Sequence, residues 1–145
     1  FDESGFCWYS DYESSKGKQL SENDYCEILF YWREFDRQIR ISGKVTRLGS
    51  DESDLYFNQR PLESQAAAVA SRQSQPVETR AILEERFQAE IARSEKARLE
   101  RPERWGGYRL TPEQYEFWQG REGRLHDRFR FASHNGQWKA ERLQP

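Results

Sequence analysis

Residues 25–45 read YCEILFYWREFDRQIRISGKV, and this stretch predicts two consecutive β-strands. From Tyr25 to Trp32 it is dense in apolar and aromatic residues, which is typical of a largely buried strand. From Arg37 to Val45 apolar and polar side chains alternate, which predicts a half-buried strand. Gly43 within the second strand indicates a bulge or a close approach by another part of the backbone.

Further strands and helices are predicted on both sides of this stretch. The strand-like segments are Gly5–Ser10, Trp105–Leu110, Tyr115–Trp118, Leu125–Phe131 and Gln137–Leu143. The helix-like segments are Ser14–Glu22, a segment that starts at Asp51–Asp54, the Ala-rich Ser64–Ser71 and the long Val77–Leu99. Asn135-Gly136 is a strong hairpin signal. About seven strands and three or four helices predict an α+β fold around a sheet or barrel, in a single domain over residues 1–145.

The composition excludes several classes of protein. Charged residues make up 33% of the chain, but they nearly balance, and the formal net charge is −2. We therefore expect no uniformly basic face for nucleic acid and no polybasic membrane anchor. No apolar run approaches the roughly 20 residues of a membrane-spanning helix. A cytoplasmic protein is the expectation.

The sulfur and imidazole side chains are few. Cys7 and Cys26 do not make a disulfide framework, so we expect two buried free thiols, with pairing across adjacent strands as the alternative. His126 and His134 are the only imidazoles and there is no CxxC motif, so we expect no metal site. The chain has no Met and begins at Phe1, which indicates a processed product or a piece of a longer chain.

Two polar turns are candidates for binding an anion or a ring. Ser14-Ser15-Lys16 could hold an anion on its backbone N–H groups, and a solvated loop is the alternative. Ser71-Arg72-Gln73-Ser74 could contact a heteroaromatic ring or a phosphate, although by itself it is indistinguishable from a polar helix end.

Two further clusters carry arginine. Tyr56, Arg60 and Ser64 are spaced by four, so on one helix they would lie along one side, as a phosphate clamp or as an ordinary surface stripe. On a strand, Arg124, His126 and Arg128 would point to one face. Because these groups repel one another unless an anion lies among them, the second cluster favours an anionic ligand.

Taken together, these motifs resemble the pyridoxamine 5'-phosphate oxidase family. The matching segments are RQIRISG (37–43), Tyr56-Phe57 with Arg60-Pro61 and Ser64-Gln65, SRQS (71–74), Trp105-Gly106-Gly107, EFWQG (116–120), RLHDR (124–128), Trp138-Lys139 and ERLQP (141–145). The likeness covers nearly the whole chain in the family's order, and the RLHDR block is highly specific.

The resemblance implies a fold, a cofactor and an assembly. The fold would be an FMN-binding split β-barrel, of which this chain would be the carboxy-terminal two-thirds, including a dimerisation region at about residues 104–145. Two subunits would form two FMN sites across their interface. The implied FMN-binding residues are Tyr9, Ser10, Lys16, Gln38, Gln73, Ser74, Trp118 and Arg128. The implied binding residues for the substrate phosphate are Tyr56, Arg60 and Ser64. Arg124 and His126 would lie over the pyridine ring of the substrate, and they are also the implied catalytic residues.

The family's chemistry converts pyridoxamine or pyridoxine 5'-phosphate to pyridoxal 5'-phosphate. A hydride passes from the substrate to the flavin, and O2 reoxidises the flavin with release of hydrogen peroxide. Such chemistry needs two flat rings held in register and no strong nucleophile, which suits the polar clusters of this chain. Arg124 would stabilise developing charge and position the amine, and His126 would orient or exchange a proton.

Two departures from the family pattern leave other interpretations open. The family's preceding segment, with its first strands, is absent, and Ser15 stands where the family usually has Arg. Loss of one cation from the FMN phosphate would weaken binding by about an order of magnitude. The alternatives are therefore a phenazine-biosynthesis-type FMN oxidase and a non-catalytic paralogue that dimerises or binds pyridoxal 5'-phosphate.

Overall fold

Six strands and four α-helices make up the chain, and a computed structural model describes all of its residues, Phe1–Pro145. In chain order they are β1 (Phe6–Asp11), α1 (Ser15–Glu22), β2 (Tyr25–Trp32), β3 (Arg37–Arg47), α2 (Ser50–Gln59), α3 (Leu62–Ala70), α4 (Arg80–Ser94), β4 (Trp105–Gln119), β5 (Asp127–His134) and β6 (Gln137–Leu143). Short 3₁₀ turns lie at Arg33–Phe35 and Glu122–Arg124. The predicted α+β class is confirmed.

The strands form one sheet in the order β2-β3-β4-β5-β6, and β1 pairs with β4. The pairs β2–β3, β4–β5 and β5–β6 are antiparallel. The predicted hairpin between β5 and β6 is confirmed, since Asn135 and Gly136 at its tip have φ values of 52° and 77°. Both residues thus adopt the left-handed conformation that a two-residue Asn-Gly turn requires.

The chain divides into two compact units. Unit 1 comprises residues 1–6, 24–45 and 110–145, and unit 2 comprises residues 7–23 and 46–109. The core of unit 2 is formed by Phe57, Ala66, Leu99 and Trp105, which are buried. In unit 1, Ile41, Val45 and Leu110 are buried. The expectation of a single domain stays a prediction.

Strand β2 differs from its prediction. Its span is as expected, but Leu29, Phe30, Tyr31 and Trp32 are all exposed, at 56%, 39%, 54% and 41% of their surfaces. Apolar residues on both faces of a strand are buried only if both faces are covered. In this chain β2 lies at one end of the sheet order, and these side chains are uncovered. The prediction of a largely buried strand is therefore wrong.

Strand β4 replaces two predicted strands. It runs unbroken through Pro112, although a proline usually ends a strand. Two residues before Pro112, the carbonyl of Leu110 lies close to Gly5. Two residues after Pro112, the pairing of β4 with β5 begins at Gln114. Pro112 therefore lies where the neighbour of β4 changes, which is where a residue without an N–H is tolerated.

Three smaller expectations have mixed outcomes. The close approach at Gly43 is confirmed, because a Cβ there would collide with the carbonyl of Thr111. The helix predicted over 77–99 is shorter, since Thr79 caps it by accepting from the Ile82 N–H, and it ends at Ser94. Cys7 and Cys26 are free, as predicted, but half-buried rather than buried. No helix of the structure combines the length and the apolar character needed to span a membrane.

Candidate active site

In unit 2, a pocket of about 320 Å³ collects several of the predicted site residues. It is lined by Tyr9, Asp11, Arg60, Ser64, Ala67, Ala68, Ser71, Gln73 and Trp105. We call it the unit 2 pocket. Of the predicted residues, it unites Tyr9 and Gln73 from the implied cofactor set with Arg60 and Ser64 from the implied substrate set.

The route by which Arg60 and Ser64 meet is not the predicted one. Arg60 ends α2 with an extended backbone (ψ 151°), and Pro61 precedes α3. A proline disfavours helical geometry in the residue before it, so Tyr56, Arg60 and Ser64 cannot share one helix. The single-helix prediction is wrong, but the turn at Pro61 still brings Arg60 and Ser64 to the same pocket.

The guanidinium of Arg60 is the strongest feature of the unit 2 pocket. It lies over the indole of Trp105, 4.7 Å from the ring centroid. Its Nη1 is buried and has no hydrogen-bond partner. Burial lowers the pKa of Arg60, opposed by nearby Tyr56. Since a buried charged donor without a partner is costly, the pocket favours an anionic ligand beside Ser64.

Stacked aromatic rings stand beside this arginine. Tyr9 and Tyr56 stack with centroids 3.6 Å apart and planes within 3°, and Tyr9 also stacks on Trp105 at 5.6 Å. Burial, more than the neighbouring charges, raises the pKa of Tyr9. Tyr56 does not line the pocket itself but braces Tyr9, which does.

Gln73 is fixed from the end of β1. Its Oε1 accepts from the Ser10 hydroxyl at 3.2 Å and from the Asp11 backbone N–H at 3.3 Å. The amide nitrogen of Gln73 is therefore the end available to a ligand. Ser74 follows with a φ of 66°, in a loop after α3 rather than at a helix end, and it does not line the pocket.

The Ser14–Lys16 turn opens helix α1, as predicted. Ser14 is fully buried and accepts from the Gly17 N–H at 3.1 Å while donating to the Asp11 carbonyl at 2.6 Å. Its hydroxyl is thus engaged within the chain. Ser15 and Lys16 are exposed in the first turn and lie outside the unit 2 pocket.

Unit 1 has its own pocket, of about 420 Å³. It is lined by Trp32, Arg37, Gln38, Ile39, Phe117, Trp118, Gln119, Arg121, Asp127 and Phe129. We call it the unit 1 pocket. It brings together two predicted cofactor residues, Gln38 from β3 and Trp118 from β4.

Arg128 on β5 is held in a fork by a buried carboxylate. Its Nε and Nη2 donate to the two oxygens of Glu116 at 2.9 and 3.1 Å, and its Nη1 donates to the Gln144 carbonyl. Glu116 is 7% exposed, and its hydrogen bonds raise the pKa of Arg128. Such bidentate pairs fix the plane of the guanidinium.

Arg124, His126 and Arg128 do not share one strand face, so that prediction is wrong. Gly123 and Arg124 have φ values of 64° and 63°, in a 3₁₀ turn that no strand can contain. His126 precedes β5, and its Nδ1 accepts from the Arg121 N–H at 3.1 Å. Its ring lies 4.9 Å from that of Trp118. The repulsion argument for an anion at these three residues therefore no longer applies.

Sequence reasoning missed the groups that hold the site residues in place. Asp127 accepts from Arg121 Nε at 2.8 Å and from Arg142 Nη1 at 2.7 Å, and these bonds lower its pKa. The motif EFWQG contains Glu116 without indicating its role, and no motif indicates a role for Asp11 or Arg104. These pairs could have been found by matching acidic residues with arginines on neighbouring strands. Such matching requires the pairing register of the strands, which the sequence does not give.

Comparisons with known proteins agree with the motifs. Residues 1–94 match the family model described as pyridoxamine 5'-phosphate oxidase. Residues 105–145 match the model described as the pyridoxine 5'-phosphate oxidase C-terminal dimerisation region.

Curated relatives are similar along the whole chain. A pyridoxine/pyridoxamine 5'-phosphate oxidase from Herminiimonas arsenicoxydans is 46% identical over 146 residues, covering 100% of this chain and 69% of the relative. One from Pseudomonas putida (strain GB-1) is 47% identical over 144 residues, covering 99% and 67%. The chain thus spans about two-thirds of the length of these relatives.

Solved structures share the fold. PhzG from Burkholderia lata 383, in complex with tetrahydrophenazine-1-carboxylic acid, superposes with a TM-score of 0.91 at 35% identity, covering all of this chain and 71% of that one. A pyridoxamine 5'-phosphate oxidase-related, FMN-binding protein from Nostoc punctiforme PCC 73102 gives 0.75 at 17% identity, covering 100% and 76%. These matches confirm the predicted fold, that of the FMN-binding split barrels.

Proposed function

The chain belongs to the pyridoxamine 5'-phosphate oxidase family, and from this premise we propose that it takes part in FMN-dependent oxidation of pyridoxamine or pyridoxine 5'-phosphate. The products are pyridoxal 5'-phosphate and hydrogen peroxide, with O2 as acceptor. The observation that carries the proposal is the buried, unpartnered Nη1 of Arg60 in the unit 2 pocket. An anionic group on the substrate is what this donor lacks.

Arg60 and Ser64 bind the substrate phosphate in this proposal. A guanidinium and a hydroxyl in one pocket are a common phosphate-binding pair, and each charge-assisted hydrogen bond contributes about 1.5–3 kcal/mol. Trp105 supports the Arg60 guanidinium from one side, which holds it in place before the substrate binds. Tyr56 acts through its stack on Tyr9.

The donor set fits FMN. In unit 2 these are the amide of Gln73, the hydroxyls of Tyr9 and Ser74, and the ammonium of Lys16, while Ser10 contributes by donating to Gln73 Oε1 and so fixing that amide. In unit 1 they are Gln38, Trp118 and Arg128. Amides, hydroxyls and an indole suit a flat heteroaromatic ring, and cations suit its phosphate. When bound, FMN supplies the hydride acceptor and the reactivity with O2. Ser15 contributes no cation, so we expect weaker phosphate binding than an Arg would give.

Arg124 and His126 are proposed to act at the reacting end of the substrate. Since Nδ1 of His126 accepts from the Arg121 N–H, its neutral ring carries the proton on Nε2. That nitrogen can donate to the substrate or exchange a proton with it. Arg124, in its exposed turn, supplies a fixed positive charge for charge that develops during the reaction.

A homodimer in the cytoplasm is the proposed setting. The match of residues 105–145 to a dimerisation region supports a dimer. The exposed aromatic side chains of β2 support it independently, because exposed large apolar side chains grouped on one strand commonly mark an interface.

A second candidate is oxidation of a larger tricyclic substrate. It is favoured by the likeness to PhzG, whose structure holds tetrahydrophenazine-1-carboxylic acid. That ligand carries a carboxylate but no phosphate. Arg60 and Ser64 together favour the phosphorylated substrate.

The test is aerobic turnover in the presence of added FMN. With pyridoxamine 5'-phosphate, we expect equal amounts of pyridoxal 5'-phosphate and hydrogen peroxide, and Arg60→Met should raise KM about tenfold or more. Arg47→Met is the matched control, because it removes another arginine–aromatic contact, over Tyr12, outside the pocket.

The other outcomes separate the alternatives. Peroxide formed only with tetrahydrophenazine-1-carboxylic acid would favour the tricyclic substrate. Binding of pyridoxal 5'-phosphate without any peroxide would identify the chain as a non-catalytic relative. An equal KM for the Arg60→Met and Arg47→Met variants would remove Arg60 from the phosphate site.

A further inference from the structure

Arg104 is a buried arginine that holds the end of helix α3. Its Nη2 donates to the carbonyls of Ala68 and Val69, both at 3.1 Å, and of Ser71 at 2.7 Å. The last carbonyls of a helix have no partners within the helix, so an outside donor is needed to satisfy them. One guanidinium nitrogen therefore fixes the point at which the chain leaves α3.

The same side chain also holds the end of strand β1. Arg104 Nε lies 3.2 Å from Asp11 Oδ2, as an ion pair rather than a directed hydrogen bond. Both side chains are at least nine-tenths buried. The backbone contributes as well, because the Tyr12 N–H donates to the Arg104 carbonyl at 2.6 Å.

Between these two anchor points lies the loop of residues 71–74. Gln73 in this loop bonds through Oε1 to Ser10 and to the Asp11 N–H, so its position depends on where β1 ends. Ser74 has a φ of 66°, a left-handed conformation that a non-glycine residue keeps only when its surroundings impose it. The loop thus needs support from outside itself.

We propose that Arg104 is a positioning residue for the flavin site. It fixes the start of the 71–74 loop and its contact with β1 at the same time, and so presents Gln73 and Ser74 to FMN. Arg104 does not line the unit 2 pocket, so it acts through the loop and not by touching the ligand. The inference rests on the proposed function, in which Gln73 and Ser74 bind FMN.

Arg101 provides a matched control on the same chain. Its side chain is 8% exposed, compared with 9% for Arg104, and it also combines an ion pair, to Asp54 at 2.6 Å, with a bond to a carbonyl, that of Trp105 at 2.6 Å. It has no bond to the 71–74 loop. Arg101→Met should therefore destabilise the fold as Arg104→Met does, without loosening the loop.

The experiment measures FMN affinity and hydrogen exchange for wild type, Arg104→Met and Arg101→Met. We expect both variants to lower Tm, but only Arg104→Met to raise the Kd for FMN, by about tenfold or more. In the chain without FMN, only Arg104→Met should speed exchange of the Ser71 and Gln75 amides, which bond to the carbonyls of Ala67 and Arg72. Arg104→Lys keeps the charge but loses the forked guanidinium, so it should give an intermediate Kd for FMN. This variant tests the inference if Arg104→Met does not fold.

Equal FMN affinity and equal exchange in the Arg104 and Arg101 variants would overturn the inference while leaving the proposed function intact. A wild-type chain that binds no FMN would overturn the proposed function, and the positioning role would fall with it.

Discussion

Opposite charges facing each other across the strands are the main residue-scale feature of unit 1. Arg128 is held by Glu116, Arg130 by Glu141, and Asp127 by two arginines. Exposed ion pairs contribute little stability, typically 0–1 kcal/mol. Their role is orientation: Asp127 and Arg121 both line the unit 1 pocket, so the ion pair between them fixes two of its lining side chains.

Asp127 gives a pH-dependent prediction at this scale. Hydrogen bonds from Arg121 and Arg142 lower its pKa, so its folded-state pKa lies below the unfolded value of about 3.9. The stability it contributes is then complete above that value and is lost as the pH falls through the folded-state pKa. Urea unfolding of wild type and Asp127→Asn should show a constant difference in the free energy of unfolding from about pH 7 to 5, shrinking below about pH 4.

Glu85→Gln, a loss of one exposed carboxylate on α4, controls for net charge. If the difference between wild type and Asp127→Asn persisted unchanged to pH 3, the two arginines would not be holding the ionised form of Asp127.

Among the elements, those with a local signal were predicted and those that depend on neighbours were not. The span of β3, the Asn135-Gly136 hairpin and the opening of α1 were predicted correctly, because turn chemistry and period act within a few residues. The alternating burial predicted for β3 was not found, since Ile41, Ser42 and Gly43 are buried in succession. The exposure of β2 and the continuity of β4 through Pro112 were not predicted. Both depend on which strands lie alongside, and a sequence does not state that directly.

The candidate site follows the same division. The residue types at Arg60, Ser64 and Gln73 were predicted, and the structure brings those three to one pocket. Their geometry was not predicted, since Pro61 breaks the helix assumed for the first two. The left-handed turn at Gly123 and Arg124 removed the strand assumed for the RLHDR motif.

The exposed apolar residues of β2 give an element-scale prediction. If Leu29 lies in the dimer interface, Leu29→Glu would bury an unpaired carboxylate, which costs several kcal/mol and should weaken dimerisation by about a hundredfold or more. Leu55→Glu, at a similarly exposed leucine on α2, is the control. Sedimentation equilibrium should show dimers for wild type and Leu55→Glu, and monomers for Leu29→Glu. Dimers of all three would place the interface elsewhere.

At the scale of the whole molecule, the comparisons show the family and the fold, whereas the oxidation reaction is proposed. The family and the fold rest on 46% identity along the entire chain and on family models that match residues 1–94 and 105–145. The proposed reaction depends on groups in both units, each with its own pocket and its own set of polar donors. The chemistry therefore has to be tested on the intact chain.

The most direct measurement is the visible absorption spectrum of the chain loaded with FMN and held without oxygen. Addition of pyridoxamine 5'-phosphate should bleach the flavin band, and admission of air should restore it, with one pyridoxal 5'-phosphate formed for each flavin reduced. A flavin band that stays unchanged under saturating pyridoxamine 5'-phosphate and pyridoxine 5'-phosphate would contradict the proposed oxidase activity.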